Sequence, residues 1–199
     1  MARVRAYVGL GANVGDAEGT LAAAVHALAG TPGVRLRAVS RLYATEPVGV
    51  LDQPEFRNAC VALDGPAGRD PETGASALLV ALKAIERVFG RQPRERWGPR
   101  EVDLDLLVFG RHRVNVARPP AGRSDDPAKA AMPLVVPHVE ARNRLFVLAP
   151  LADLAPGLVP PGWGETVATA AARRRVAEGP DAARAIARWT GEGWASIGA

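Results

Sequence analysis

The chain has 199 residues, of which 48% are hydrophobic and 23% charged, and its net charge is +4. That length supports one hydrophobic core, the composition excludes a disordered chain, and a single cysteine, Cys60, excludes an internal disulfide or a thiolate metal cluster. No apolar run approaches the ~18 residues of a membrane span, and the opening Met-Ala-Arg-Val-Arg-Ala carries no secretory pattern, so a cytoplasmic protein is expected.

Residues 4–10 form an apolar run ending in Gly-Leu-Gly, which predicts a buried strand. Asp16 is placed to cap a helix in which Leu21, Val25 and Leu28 recur at helical spacing, with a stop at Gly30. Alternation over residues 34–43 predicts a half-buried strand. Two prolines and a glycine make residues 45–54 a loop. Residues 58–63 predict another strand, nearly continuous in apolar residues, within which Cys60 reads as a small buried hydrophobe. Pro71 opens a helix carrying Leu78, Leu79, Leu82, Ile85 and Phe89 and ending at Gly90; residues 102–109 are a further strand. The order βαββαβ is the ferredoxin-like plan, an α+β fold with helices packed on an antiparallel or mixed sheet. Residues 118–132, rich in Pro, Gly, Ser, Asp and Ala, read as a surface insertion. Helices are expected at 145–154, 165–177 and 181–189. The chain then divides into a domain over residues 1–164 and a C-terminal helical extension, 165–199, packed on it.

Asp103 and Asp105 are two apart in a predicted strand, so they project from one face while Val102, Leu104 and Leu106 take the other. Two carboxylates that close repel one another unless a cation lies between them. Mg²⁺ suits the pair: it binds through one or two carboxylates and completes its shell with water and phosphate oxygens. A polar strand edge is the ordinary alternative. Just upstream lie Arg91, Arg94, Arg96 and Arg100, in a Gly- and Pro-containing stretch. Guanidinium groups bind phosphate bidentately, and a loop bearing them can close over a polyphosphate; a solvated charge run is the alternative. The isoelectric point of about 10.0, with Lys83 and Lys129 as the only lysines, suits an anionic partner.

The turn Gly9-Leu10-Gly11-Ala12-Asn13-Val14-Gly15 is not a dinucleotide fingerprint, because its third glycine comes one residue late. It reads as a tight strand-to-helix turn in which Asn13 braces a neighbouring loop. Phe56 can stack on a planar heterocycle, Asn58 can read a ring's donor and acceptor edge, and Phe146 can supply a second face. Core packing is the alternative for both rings. His26, His112 and His138 are the only histidines, so a multi-His metal site is excluded. His138, close in sequence to Arg142 and Arg144, suits phosphate contact, or is a lone satisfied histidine.

Taken in order, the blocks G-L-G-A-N-V-G-D, T-E-P-V-G, Q-P-E-F-R-N, R-W-G-P-R-E-V-D-L-D-L-L and V-P-H-V-E-A-R-N-R-L-F-V-L-A-P-L resemble the 6-hydroxymethyl-7,8-dihydropterin pyrophosphokinase family over residues 4–159. The resemblance implies transfer of diphosphate from ATP to the pterin alcohol, with AMP leaving and no covalent enzyme intermediate, in folate biosynthesis. It implies that Asp103 and Asp105 hold two Mg²⁺ ions, and that Arg91 and Arg100 act in catalysis. Phe56 and Phe146 would sandwich the pterin, while Asn58 and the backbone near Thr45, Pro47 and Val48 read its edge. Glu86, Arg96, Trp97, Leu106, His138 and Arg144 would line the nucleotide. A monomer without nucleic-acid or membrane partners is expected. Pro93 stands where many members carry a loop arginine, and the insertion and the tail are longer than the family pattern needs. The competing classes are another Mg-ATP-dependent kinase of a small alcohol and, given the Arg-rich 173–188 region, a basic nucleic-acid-binding module. The latter lacks aromatic residues interleaved with its bases.

Overall fold

The structure is a computed structural model that describes residues 2–47, 49, 52–90, 100–123 and 131–198. Strand β1 (Arg3–Ala12) leads through a turn at Gly15, whose φ of 60° lies in the left-handed region that favours glycine, into helix α1 (Ala17–Ala29). Asp16 caps this helix as predicted, its carboxylate accepting from Gly19 N at 2.9 Å. The expected strand over residues 34–43 is two strands, β2 (Arg35–Val39) and β3 (Leu42–Thr45). The break falls where Ser40 takes over pairing with Cys60: its N–H donates to Cys60 O at 2.9 Å and its hydroxyl accepts from Cys60 N at 2.8 Å. The long β4 (Phe56–Pro66) serves both, β3 pairing with its first half and β2 with its second. Helix α2 (Pro71–Val88) starts at the Asp70 cap with proline in its first turn. Strand β5 (Asp103–Phe109) closes the βαββαβ core.

The principal sheet has the order β5-β1-β4-β3, with β2 also beside β4, and every pairing is antiparallel. This is the ferredoxin-like arrangement. One face carries Ala6, Val8, Leu10, Ala59, Val61, Leu63, Leu104 and Leu106, all buried under Leu21, Val25 and Leu28 of α1 and Leu78, Leu79 and Leu82 of α2. Each such leucine or valine contributes roughly 1.5–3 kcal/mol on burial, so this layer is what holds the sheet flat against its helices. The opposite face carries Cys60 and Leu107, packed beneath Leu148 and Leu151 of α3 (Leu145–Leu154) and Val167 and Ala170 of α4 (Val167–Glu178). Burial pushes the Cys60 thiol up, away from thiolate, as a core cysteine requires.

A small second sheet pairs β6 (Val114–Val116) with β7 (Leu134–Val136), so the two ends of the 118–132 insertion are held together. The first residues of this surface insertion pack against α2. Arg87 on α2 donates to Ala121 O at 3.0 Å and Arg123 O at 3.2 Å, and Gly122 is buried close to Leu79. Residues 124–130 lie outside the described residues.

The expected helix over residues 181–189 is instead strand β8 (Arg184–Trp189), which joins the sheet along β3 and carries β9 (Trp194–Ser196) beyond it. Alanine-rich composition favours helix locally. Ala183 and Ala187 are buried while Arg184 and Arg188 are exposed, a four-residue spacing that does not by itself distinguish helix from strand. The open edge of β3 satisfies a strand there.

Candidate active site

Asp103 and Asp105 project half-buried from the face that α3 and α4 cover. Register fixes their neighbours. Asp103 lies opposite Gly11 of β1, and Gly11 lies opposite Asn58 of β4; Asp105 lies opposite Gly9, and Gly9 opposite Cys60. Directly opposed residues in antiparallel strands share a face. The two glycines therefore leave a strip without side chains between the acid strand and the amide strand. Its width is used: a Cβ on Gly11 would lie 3.2 Å from Asn58 Oδ1. Asn58, 6% exposed, donates from Nδ2 to Thr45 Oγ1 at 2.8 Å. Phe56 lies two residues earlier on the same face, opposite Thr45.

Helix α3 brings the second ring. Leu145 in its first turn packs with Tyr43, which lies opposite Asn58, and Phe146 follows, half-buried, with the Arg144 guanidinium 5.7 Å from its ring centroid. The helix is pinned to β3 by Asp153, which accepts from Arg41 and, at 2.9 Å, from the Tyr43 hydroxyl. Burial and this carboxylate together push the Tyr43 phenol up. His138 enters from beyond β7, its backbone N–H donating to Leu107 O at 2.9 Å, and Arg144 lies 3.7 Å from Glu140. Pro47 is half-buried at the end of β3.

Asn13 braces loops, as its place in the turn predicts. Its Nδ2 donates to Gln53 Oε1 and Pro54 O, both at 3.0 Å, and its Oδ1 accepts from Arg100 N at 2.7 Å. One 3%-exposed side chain thus holds the entry to Phe56 and the entry to Asp103. Arg100 forms an ion pair with Asp103. Of the remaining expected site residues, Leu106 is buried on the opposite face, and Glu86 is buried on α2 with Oε1 accepting from Leu104 N at 2.7 Å. Val48, Arg91, Arg94, Arg96 and Trp97 lie outside the described residues.

Among the described residues no group of three or more His, Cys, Asp or Glu side chains is arranged to hold a metal. Two carboxylates on one strand are therefore all that β5 offers. A hard cation that draws its other ligands from water and phosphate fits such a donor set, and a structural zinc does not.

The family model described as 7,8-dihydro-6-hydroxymethylpterin-pyrophosphokinase (HPPK) matches residues 7–156. The chain belongs to this family. It is 43% identical over 169 residues to a 2-amino-4-hydroxy-6-hydroxymethyldihydropteridine pyrophosphokinase of Methylorubrum extorquens, an alignment covering 85% of this chain and 92% of that one. The enzyme of the same name from Pseudomonas aeruginosa is 42% identical over 154 residues, covering 77% and 82% of the two chains. Among solved structures, an HPPK-DHPS in complex with substrates superposes with a TM-score of 0.73 at 11% identity, covering 99% of this chain and 50% of that one. Wild-type Plasmodium falciparum HPPK-DHPS gives 0.71 at 14% identity, covering 98% and 50%. These two show a shared fold, and the chain spans about half their length.

The HPPK match ends before α4, β8 and β9. Three arginines of that tail form ion pairs: Arg173 with Glu165, Arg174 with Glu178 and Arg184 with Glu55. Three of the five arginines in the 173–188 region are thus paired with carboxylates, and Arg175 donates to Pro180 O at 2.7 Å. Sequence reasoning missed Lys83, although the signal was present. Leu79, Leu82, Lys83 and Glu86 stand at i, i+3, i+4 and i+7, which places two charged residues on the buried stripe of α2.

Proposed function

We propose that this chain works as a cytoplasmic monomer in which the acid strand, the glycine strip and the ring-reading pocket form one continuous active site. The reaction is transfer of pyrophosphate from ATP to 6-hydroxymethyl-7,8-dihydropterin, giving the pterin diphosphate and AMP, in folate biosynthesis. The register that puts Asp103 and Asn58 on either side of Gly11 carries this reading, because it sets a cation site and a heterocycle site one strand apart.

In this assignment Phe56 and Phe146 hold the two faces of the pterin, while Asn58, oriented by Thr45, and the backbone from Thr45 to Val48 bond its edge. Asp103 and Asp105 hold two Mg²⁺ ions, which neutralise charge on the ATP phosphates. Arg100 and Arg91 meet the charge that develops as the bond to the leaving AMP lengthens. Arg96, Trp97, His138 and Arg144 line the nucleotide, whereas Glu86 and Leu106, placed beside it by the resemblance, are buried in the layer between α2 and the sheet. The pterin hydroxymethyl oxygen then attacks the β-phosphorus, the bond between that phosphorus and the AMP oxygen breaks, and positioning with charge stabilisation does the rest. No side chain need act as a nucleophile, which agrees with the buried, protonated Cys60.

The deciding assay incubates the purified protein with MgATP and the pterin alcohol and separates the nucleotide products. AMP formed one-for-one with pterin diphosphate supports the assignment. ADP formation would mean single phosphoryl transfer and would overturn it.

A further inference from the structure

Among the described residues β5 is an edge strand of the principal sheet, with no strand on its outer side in that sheet. Midway between the two aspartates, Leu104 directs both backbone groups outward, and both meet α2. Its N–H donates to Glu86 Oε1 at 2.7 Å, and its carbonyl accepts from Lys83 Nζ at 3.1 Å. Lys83 Nζ also donates to Glu86 Oε1 at 2.6 Å, closing a ring of three contacts. Lys83 and Glu86 are 6% and 4% exposed at the side chain, so the pair is fully removed from solvent.

A buried ion pair is costly to desolvate and is often no better for stability than two apolar side chains. Apolar replacements here would leave the Leu104 N–H and carbonyl buried with no partner, which backbone groups rarely tolerate. The pair acts as a one-residue strand. It supplies the donor and the acceptor that a neighbouring strand would have supplied, at the single residue whose neighbours on both sides carry the carboxylates.

We propose that Lys83, acting with Glu86 through the backbone of Leu104, is a positioning residue for Asp103 and Asp105. Fixing Leu104 from outside, while β1 pairs from inside, sets the rotation of β5 about its own axis. That rotation sets the direction of both carboxylates. In this role Lys83 acts on the two carboxylates through the strand, by its bonds to Leu104 O and Glu86. The inference rests on the reading of Asp103 and Asp105 as the Mg²⁺ carboxylates.

The test measures Mn²⁺ binding, by its EPR signal, to the protein saturated with a non-hydrolysable ATP analogue, together with kcat, the KM for the pterin and the melting temperature. Lys83→Met removes the donor to Leu104. It is expected to weaken Mn²⁺ binding by about tenfold or more, as loss of groups that orient metal ligands does, and to lower kcat while the pterin KM stays within about twofold. Lys83→Gln keeps a neutral donor one bond shorter and is expected to restore part of both. If Lys83→Met does not fold, Lys83→Met/Glu86→Gln, which leaves no lone buried carboxylate, carries the same reading. A folded variant with lowered melting temperature but unchanged Mn²⁺ affinity would reduce the pair to a helix–sheet staple and overturn the proposal. Asp103→Ala separates the two claims: if it too leaves Mn²⁺ affinity unchanged, the metal assignment itself is wrong and the positioning role falls with it.

Discussion

Asn13 and Arg100 exchange two hydrogen bonds: the Asn13 N–H donates to Arg100 O at 2.9 Å, and the Arg100 N–H donates to Asn13 Oδ1 at 2.7 Å. Because the other end of the same side chain holds Gln53 and Pro54, the loops on the two sides of the site share one anchor. Asn13→Ala removes the side-chain partner of the Arg100 N–H and of the Pro54 carbonyl, at about 1–3 kcal/mol for each group so deprived. The expected result is a folded protein with a raised KM for the pterin and a kcat lowered at least tenfold. Unchanged kinetics with lowered stability would make Asn13 a structural brace alone.

Arg100 faces two ways, its backbone bound to Asn13 and its guanidinium paired with Asp103. Loss of one preorganised charge contact removes on the order of 3 kcal/mol of transition-state stabilisation. Arg100→Ala is therefore expected to slow single-turnover transfer by about a hundredfold while ATP affinity changes by about threefold or less. A fall in affinity with an unaltered single-turnover rate would assign Arg100 to binding only.

Stability should fall in acid. Bonds from Arg5 and the neighbouring arginines hold the Asp64 carboxyl below its usual range, and bonds from Thr73 to Asp70 and from Arg173 and Arg142 to Glu165 do the same at those sites. A carboxyl depressed in the folded state contributes stability above its unfolded pKa, near 4, and that contribution is lost as the pH falls through the folded pKa. Asp64→Asn is expected to lower the melting temperature at pH 7 by about 2–4 °C at most, since an exposed pair contributes below about 1 kcal/mol. The difference from wild type should vanish toward pH 2. A difference that persists there would mean that packing, not charge, accounts for Asp64.

Much of this was legible in the sequence because it rests on local rules. The Asp16 and Asp70 caps, the alternation that puts Asp103 and Asp105 on one face and the apolar burial of Cys60 need no tertiary information. Strand β8 was not legible, because its alanines favour helix until the free edge of β3 offers hydrogen bonds. Neither was the role of Gly11, which depends on Asn58 lying opposite it on a strand nearly fifty residues away. Lys83 was visible as a charge on an apolar stripe, but its partner, the backbone of Leu104, appears only when α2 packs on β5. The loop arginines Arg91 and Arg96 remain sequence assignments.

The central claim is that Asp103 and Asp105 hold the Mg²⁺ that makes pyrophosphoryl transfer possible. The most direct measurement is single-turnover formation of pterin diphosphate by Asp105→Asn at saturating MgATP and pterin, with folding checked by circular dichroism. Asp105 is half-buried and the substitution keeps its size, so the fold should survive. The account predicts a rate lower by on the order of a thousandfold or more. A rate within about tenfold of wild type, a barrier change of ~1.4 kcal/mol, would contradict it.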